Sequence, residues 1–167
     1  PGFASSRKEL SQSFEVDTYP YPGSDYVAHQ VLAHQVHGTN LLIRAGLEAR
    51  LNRRSDVEKD LIRYLVFADE PPLELSRSDA ESVLTHSQFA DSFVKGGPRD
   101  ARGNSLRDFS LVGRLFKHRL SYLIHSRLFD DLPTECRNRL LERLWVGLST
   151  ESGDDSFNHL SHDERIA

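Results

Sequence analysis

The seven prolines of this chain fall at only five places: Pro1, Pro20 and Pro22, the pair Pro71-Pro72, Pro98, and Pro133. A proline inside a helix removes a backbone donor and clashes with the preceding turn, so the proline-free stretches between these points are where helices can form. From Asp25 to Pro71, Val27, Val31, Leu32, Val36, Ile43 and Leu47 recur at three-to-four-residue intervals, the spacing of a helix and not of a strand. No segment alternates apolar and polar side chains for more than a few residues, and no internal repeat is visible. The class expected is all-α: an irregular bundle of about five helices with an extended N-terminal arm.

Local signals place the elements. Residues 1–24 combine Ser5, Ser6, Ser11 and Ser13 with Tyr19-Pro20-Tyr21-Pro22-Gly23, which favours extended backbone and predicts an arm or linker ahead of a single helical domain over 25–167. Ser55-Asp56-Val57-Glu58 has capping-box spacing and predicts a helix from Val57 to about Ala68. Ser78-Asp79-Ala80-Glu81 predicts another, closed by Gly96-Gly97-Pro98. Leu111, Val112, Leu115, Phe116, Leu120, Leu123, Ile124 and Leu128 predict a long amphipathic helix, the central arm of the fold. Pro133 suits the first turn of a helix whose stripe is Cys136, Leu140, Leu141, Leu144, Trp145 and Leu148. Ser161-His162-Asp163-Glu164 opens a last helix.

Composition excludes several functions. A balance of 21 basic and 25 acidic residues gives −4, so the chain has no overall cationic excess for nucleic acid. The balance is uneven: residues 1–98 hold 10 basic and 14 acidic groups, residues 99–143 hold 10 and 6, and residues 144–167 hold 1 and 5. A basic middle lies between acidic flanks. The single cysteine, Cys136, supplies neither a disulfide nor the paired thiols of a haem-attachment motif. No apolar run reaches the roughly 18 residues of a membrane span. A chain without methionine that begins Pro1-Gly2-Phe3 is expected to be a processed or excised part of a larger protein.

Three groups of residues are candidates for chemistry. The first is His29-Gln30-x3-His34-Gln35-x-His37, three imidazoles fanned over one broad side of the first helix. By spacing the favourable pair for a metal is His34 with His37, at i and i+3, though the segment lacks the adjacent glutamate of a zinc-protease helix; the ordinary reading is a half-buried helix flank bonded to carbonyls or to other histidines. The second is Lys95-Gly96-Gly97-Pro98-Arg99-Asp100-Ala101-Arg102-Gly103-Asn104-Ser105. It lacks the Gly-Lys-Ser/Thr ending of a phosphate loop, and Arg99, Arg102 and Arg107 are read as holding carboxylates of this chain or of a partner. With Tyr19 and Tyr21 of the arm, they are the candidate partner-binding residues. The third is the set of nucleophiles Ser121, Ser126 and Cys136, none with a neighbouring catalytic signature. His118 and His125, two turns apart, would share a helix face without being able to share a metal. His159 and His162 are expected in an exposed tail.

Two stretches carry a resemblance: Tyr26-Val27-Ala28-His29-Gln30-x3-His34-Gln35, and Ser105-Leu106-Arg107-Asp108-Phe109-x5-Leu115-Phe116 continuing through Leu120-Ser121-Tyr122-Leu123-Ile124-His125-Ser126 to Phe129-Asp130-Asp131-Leu132-Pro133. From Tyr26 onward the chain resembles the C-terminal region of a family of large, exported, uncharacterised bacterial proteins, some associated with c-type cytochrome systems. It departs from that pattern at Arg119, where a proline is expected, and at His125, where a tyrosine is expected. His29 and His34 match the family pattern, so the resemblance singles them out as the candidate metal ligands, or partners of a non-covalent haem; it implies a periplasmic setting and a helical module at the end of a larger assembly, and it brings no established activity. The expected function is a non-catalytic interaction or accessory domain with a protein partner or parent chain and no resident cofactor. The alternative is a histidine-based metal or haem domain serving electron transfer or hydrolysis.

Overall fold

A computed structural model describes residues 25–53, 56–149 and 153–166, and among them the chain is all-α. The helices are α1 (Tyr26–Arg50), α2 (Val57–Leu65), α3 (Arg77–His86), α4 (Ala90–Lys95), α5 (Arg127–Asp130), α6 (Thr134–Ser149) and α7 (His162–Ile166), with 3₁₀ turns at Tyr122–His125 and Asp155–Phe157. The expected arm, with Tyr19 and Tyr21, and the expected cap Ser55 lie outside the described residues.

The start of α1 shows how a few polar atoms locate it. The Asp25 carboxylate accepts from the Ala28 amide at 3.0 Å, capping the helix. It also accepts from the Ser87 hydroxyl at 2.8 Å and from the Phe89 amide at 3.2 Å. The same carboxylate therefore splits the helix expected over residues 78–95. The Ser87 hydroxyl, turned toward Asp25, also accepts from the Ala90 amide at the start of α4 at 3.0 Å. The cap of α3 is Ser76, whose hydroxyl accepts from the Asp79 amide, two residues before the expected Ser78.

Helix α2 ends at Leu65, three residues before the expected Ala68, because Phe67 turns into the left-handed region at φ 56°. It packs against both long helices. Glu58 of α2 pairs with Arg139 of α6 at 2.6 Å, and Gly147 of α6 admits the buried Phe157 ring so closely that an added Cβ would lie 2.3 Å from it. The expected final capping box forms as read: the Glu164 amide bonds to the Ser161 hydroxyl, and the Glu164 carboxylate accepts from the Ser161 amide at 3.0 Å. That carboxylate also takes Arg114 and Arg119. Burial would raise its pKa, but these donors hold it down to about 2.

The long helix expected over 111–128 does not form. Leu111 adopts φ 56° and Gly113 φ 72°, the chain folds back so that Phe109 and Phe116 make a single bridge, and the Ser110 amide bonds to the Leu115 carbonyl at 3.0 Å. Ser121 then starts the 3₁₀ turn and Ser126 starts α5, each accepting an amide two or three residues on. The apolar residues are buried nonetheless: Leu111, Leu115, Phe116 and Leu123 enter the core as an irregular wedge. His118 and His125 consequently share no helix face. His118 is half-buried, and His125 is exposed.

Candidate functional site

The structure brings His34 of α1 against Ser121, 87 residues away, with the Ser121 hydroxyl 2.8 Å from His34 Nε2. The Tyr64 hydroxyl of α2 lies 3.0 Å from His34 Nδ1 and 2.8 Å from the His34 carbonyl oxygen. One arrangement of protons uses every donor once. Tyr64 donates to the carbonyl, Nδ1–H donates to the Tyr64 oxygen, Ser121 donates to Nε2, and the Ser121 oxygen accepts from the Leu123 amide. The imidazole is therefore neutral. Burial, and secondarily the charge of His37, lower its pKa to about 4. Its ring stacks on Tyr64 at 5.0 Å and meets Phe67, Phe116 and Tyr122 within 5.8 Å.

A serine on a histidine nitrogen is the contact of a nucleophile with its base. Here Ser121 has no solvent exposure, and the pair lies within the core. Sequence spacing gave no sign of this contact. The network predicts a pH effect. An unfolded histidine titrates near 6.5 and the folded one near 4, so as pH falls the unfolded chain takes the proton first. Stability from His34 is complete above about pH 6.5 and declines toward pH 4, by about 3 kcal/mol in all. His118, lowered by burial, adds to the decline, and Glu70, raised by burial, opposes it. Denaturant unfolding at stepped pH should show the decline in the parent and a much flatter profile in His34→Phe.

The other histidines are dispersed. His29 is exposed on the far flank of α1, about 140° around the helix from His34, and the two are not brought together. His37 is exposed, with its ring 4.7 Å from that of Tyr64. His159, expected in an exposed tail, instead donates from Nε2 to the Val66 carbonyl at 2.8 Å. Among the described residues no three His, Cys, Asp or Glu side chains group as metal ligands do. Cys136, one of the candidate nucleophiles, is buried, and burial pushes its thiol up to about 11, away from the thiolate that reacts. Beside the His34 network, a cleft of about 640 Å³ is lined by His37, Leu41, Arg63, Phe67, Glu70 and Leu73 among others. Arg63 in its rim is held by both oxygens of Asp69.

The arginine-rich loop is drawn toward its own chain. Arg99 donates to the Gly103 carbonyl and lies 3.7 Å from Asp108. Arg107 turns inward: it donates to the Phe93 carbonyl at 3.2 Å, and its guanidinium sits 4.9 Å over the Phe93 ring and 5.4 Å over that of Tyr122. Gly97 makes room for it, since a Cβ there would lie 2.8 Å from Arg107 Cδ. The paired glycines accommodate an arginine stem, and Arg102, the third candidate arginine, is exposed, its charge acting on Asp100.

The unexplained surface is on α1. Of the six apolar positions that mark this helix in the sequence, Val27 and Val31 are buried, while Leu32, Val36, Ile43 and Leu47 are 47–59% exposed. At 100° per residue these four fall within about 60° of one another, and about 150° from the centre of the buried face. Trp145 of α6, 74% exposed, likewise lies opposite the buried Cys136, Leu140 and Leu144, so the expected α6 stripe is narrower than it reads. No helix among the described residues is long and apolar enough to cross a membrane. No protein-family model, no curated protein and no solved structure matches the chain.

Proposed function

We propose that this chain is a non-catalytic helical interaction domain, an accessory part of a larger exported bacterial protein or periplasmic complex, and that it docks through the outer face of α1. The observation that carries this reading is the second apolar stripe, Leu32, Val36, Ile43 and Leu47, on a helix whose first apolar face is already buried. A surface helix needs one such stripe to join its own core, and a contiguous second one marks a contact with another molecule. The exported setting rests on the resemblance of the sequence alone. The metal or haem alternative has no comparable support, because both ring nitrogens of His34 are engaged by Ser121 and Tyr64.

The test places a photoreactive benzophenone side chain at position 47 and, as control, at position 81, which is exposed on α3. On irradiation in the native setting, position 47 should give a discrete protein adduct and position 81 none. Absence of an adduct at 47, or equal labelling at both positions, removes the reading.

A further inference from the structure

Resting on the docking role of this face, we propose that its occupant is α1 of a second copy of the chain, packed antiparallel about a two-fold axis between Thr39 and Asn40. The stripe reads the same in both directions. Leu32 and Leu47 are equidistant from that midpoint, as are Val36 and Ile43, with γ-branched side chains outside and β-branched ones inside. An antiparallel mate sets Leu32 against Leu47, Val36 against Ile43 and Thr39 against Asn40, the self-complementary pairing that a two-fold interface requires. The 11-residue spacing from Leu32 to Ile43 and from Val36 to Leu47 drifts only about 20° around the helix. Two straight helices can therefore stay in contact over the stripe's length of about 22 Å.

Charge selects the direction. The ionised side chains of α1 beyond its N-terminal half are Arg44, Glu48 and Arg50, and Arg44 is already paired with Glu48 at 3.1 Å. In a parallel pair each arginine would meet its own copy. In the antiparallel pair Arg44 comes level with Gln35, and the two copies of Arg44 stand about 13 Å apart along the axis, beyond the screening length of about 8 Å at physiological salt; Arg50 comes level with His29, its guanidinium turned to the Asp131 carbonyl of its own chain at 3.1 Å. The polar pair at the centre fixes the register at some cost in affinity, as a buried asparagine does in paired helices. One helix face covers much less than the roughly 800 Å² per partner of a standard interface, so the dimer is weak and concentration-dependent.

Sedimentation velocity on the full chain from about 5 to about 500 μM should show a monomer passing into a dimer, and Ile43→Glu should weaken that association at least about tenfold with the helical circular dichroism unchanged. Should Ile43→Glu fail to fold, Leu47→Gln serves instead. With Cys136→Ala as background and copper phenanthroline as oxidant, Asn40→Cys should form covalent dimers; Leu47→Cys alone should not, but should do so when mixed with Leu32→Cys. A monomer throughout the concentration range, a dimer indifferent to Ile43→Glu, or Leu47→Cys linking to itself as fast as Asn40→Cys overturns the proposal. If the chain stays monomeric while the probe at position 47 captures a different protein, the dimer falls and the docking reading stands. If the chain stays monomeric and the probe captures nothing, both fall.

Discussion

Replacing Phe116 with alanine is expected to cost about 3–5 kcal/mol of unfolding free energy. Phe116 is 1% exposed, and its ring lies against those of Phe109 at 5.5 Å, Tyr122 and His34 at 5.6 Å, and Phe67 at 5.9 Å. Truncation removes the transfer free energy of the ring and leaves a hole whose walls come from α1, the turn after α2 and the irregular wedge, elements with no common direction in which to collapse. The upper part of the range applies for that reason. A second consequence separates this site from an ordinary core position. Opening the cavity relieves the burial that keeps His34 neutral, so the His34 pKa should rise from about 4 toward its ordinary value. Denaturant unfolding measures the first effect, and the imidazole proton shifts over a pH titration measure the second.

Gly38→Ala is expected to destabilise the protein by about 2 kcal/mol, although alanine is the better helix former by about 1 kcal/mol. The added Cβ would lie 2.2 Å from Leu123 Cδ1 and 3.0 Å from Tyr64 Cε1. Neither neighbour yields easily: Leu123 is buried, and Tyr64 is fixed by its hydrogen bonds to His34. Overpacking therefore outweighs propensity. Gly46→Ala, two turns further along the same helix, should be neutral or stabilising by up to about 1 kcal/mol. Its Cβ would meet the far end of Arg50 at 3.0 Å and Leu132 Cδ2 at 3.4 Å, and an arginine tip moves at little cost. Parallel unfolding curves check the pair; equal effects at the two glycines would contradict the packing described for the face of α1 that meets Tyr64 and Leu123.

What the sequence reveals depends on whether an element is organised by its own residues. Helix α1, the stripe of α6 through Cys136, Leu140 and Leu144, and the Ser161–Glu164 cap follow from spacing and capping alone, because their signals lie within a few residues. The wedge around Leu111–Leu123 does not. Its apolar residues keep helical spacing, yet left-handed backbone at Leu111 and Gly113 and the closure of Phe109 on Phe116 depend on a core contributed by the rest of the chain. The same applies to His34. Its selection as a notable residue was legible, but its partners Tyr64 and Ser121 are 30 and 87 residues distant, and they give it a structural role that no local motif encodes. The outer stripe of α1 was hidden in plain view: Leu32 and Val36 sit beside Val27 and Val31 in the sequence, and only the three-dimensional assignment of faces separates the surface residues from the core.

The central claim is that Leu32, Val36, Ile43 and Leu47 serve contact with another molecule and not the fold. It is tested most directly by changing all four to glutamine and measuring denaturant unfolding at a protein concentration low enough to exclude association. Dispensable to the monomer, the stripe should be replaceable with a loss of no more than about 1 kcal/mol, within the range of surface substitutions. A loss of several kcal/mol, on the scale of the Phe116→Ala cavity, would place these side chains in the core and contradict the account.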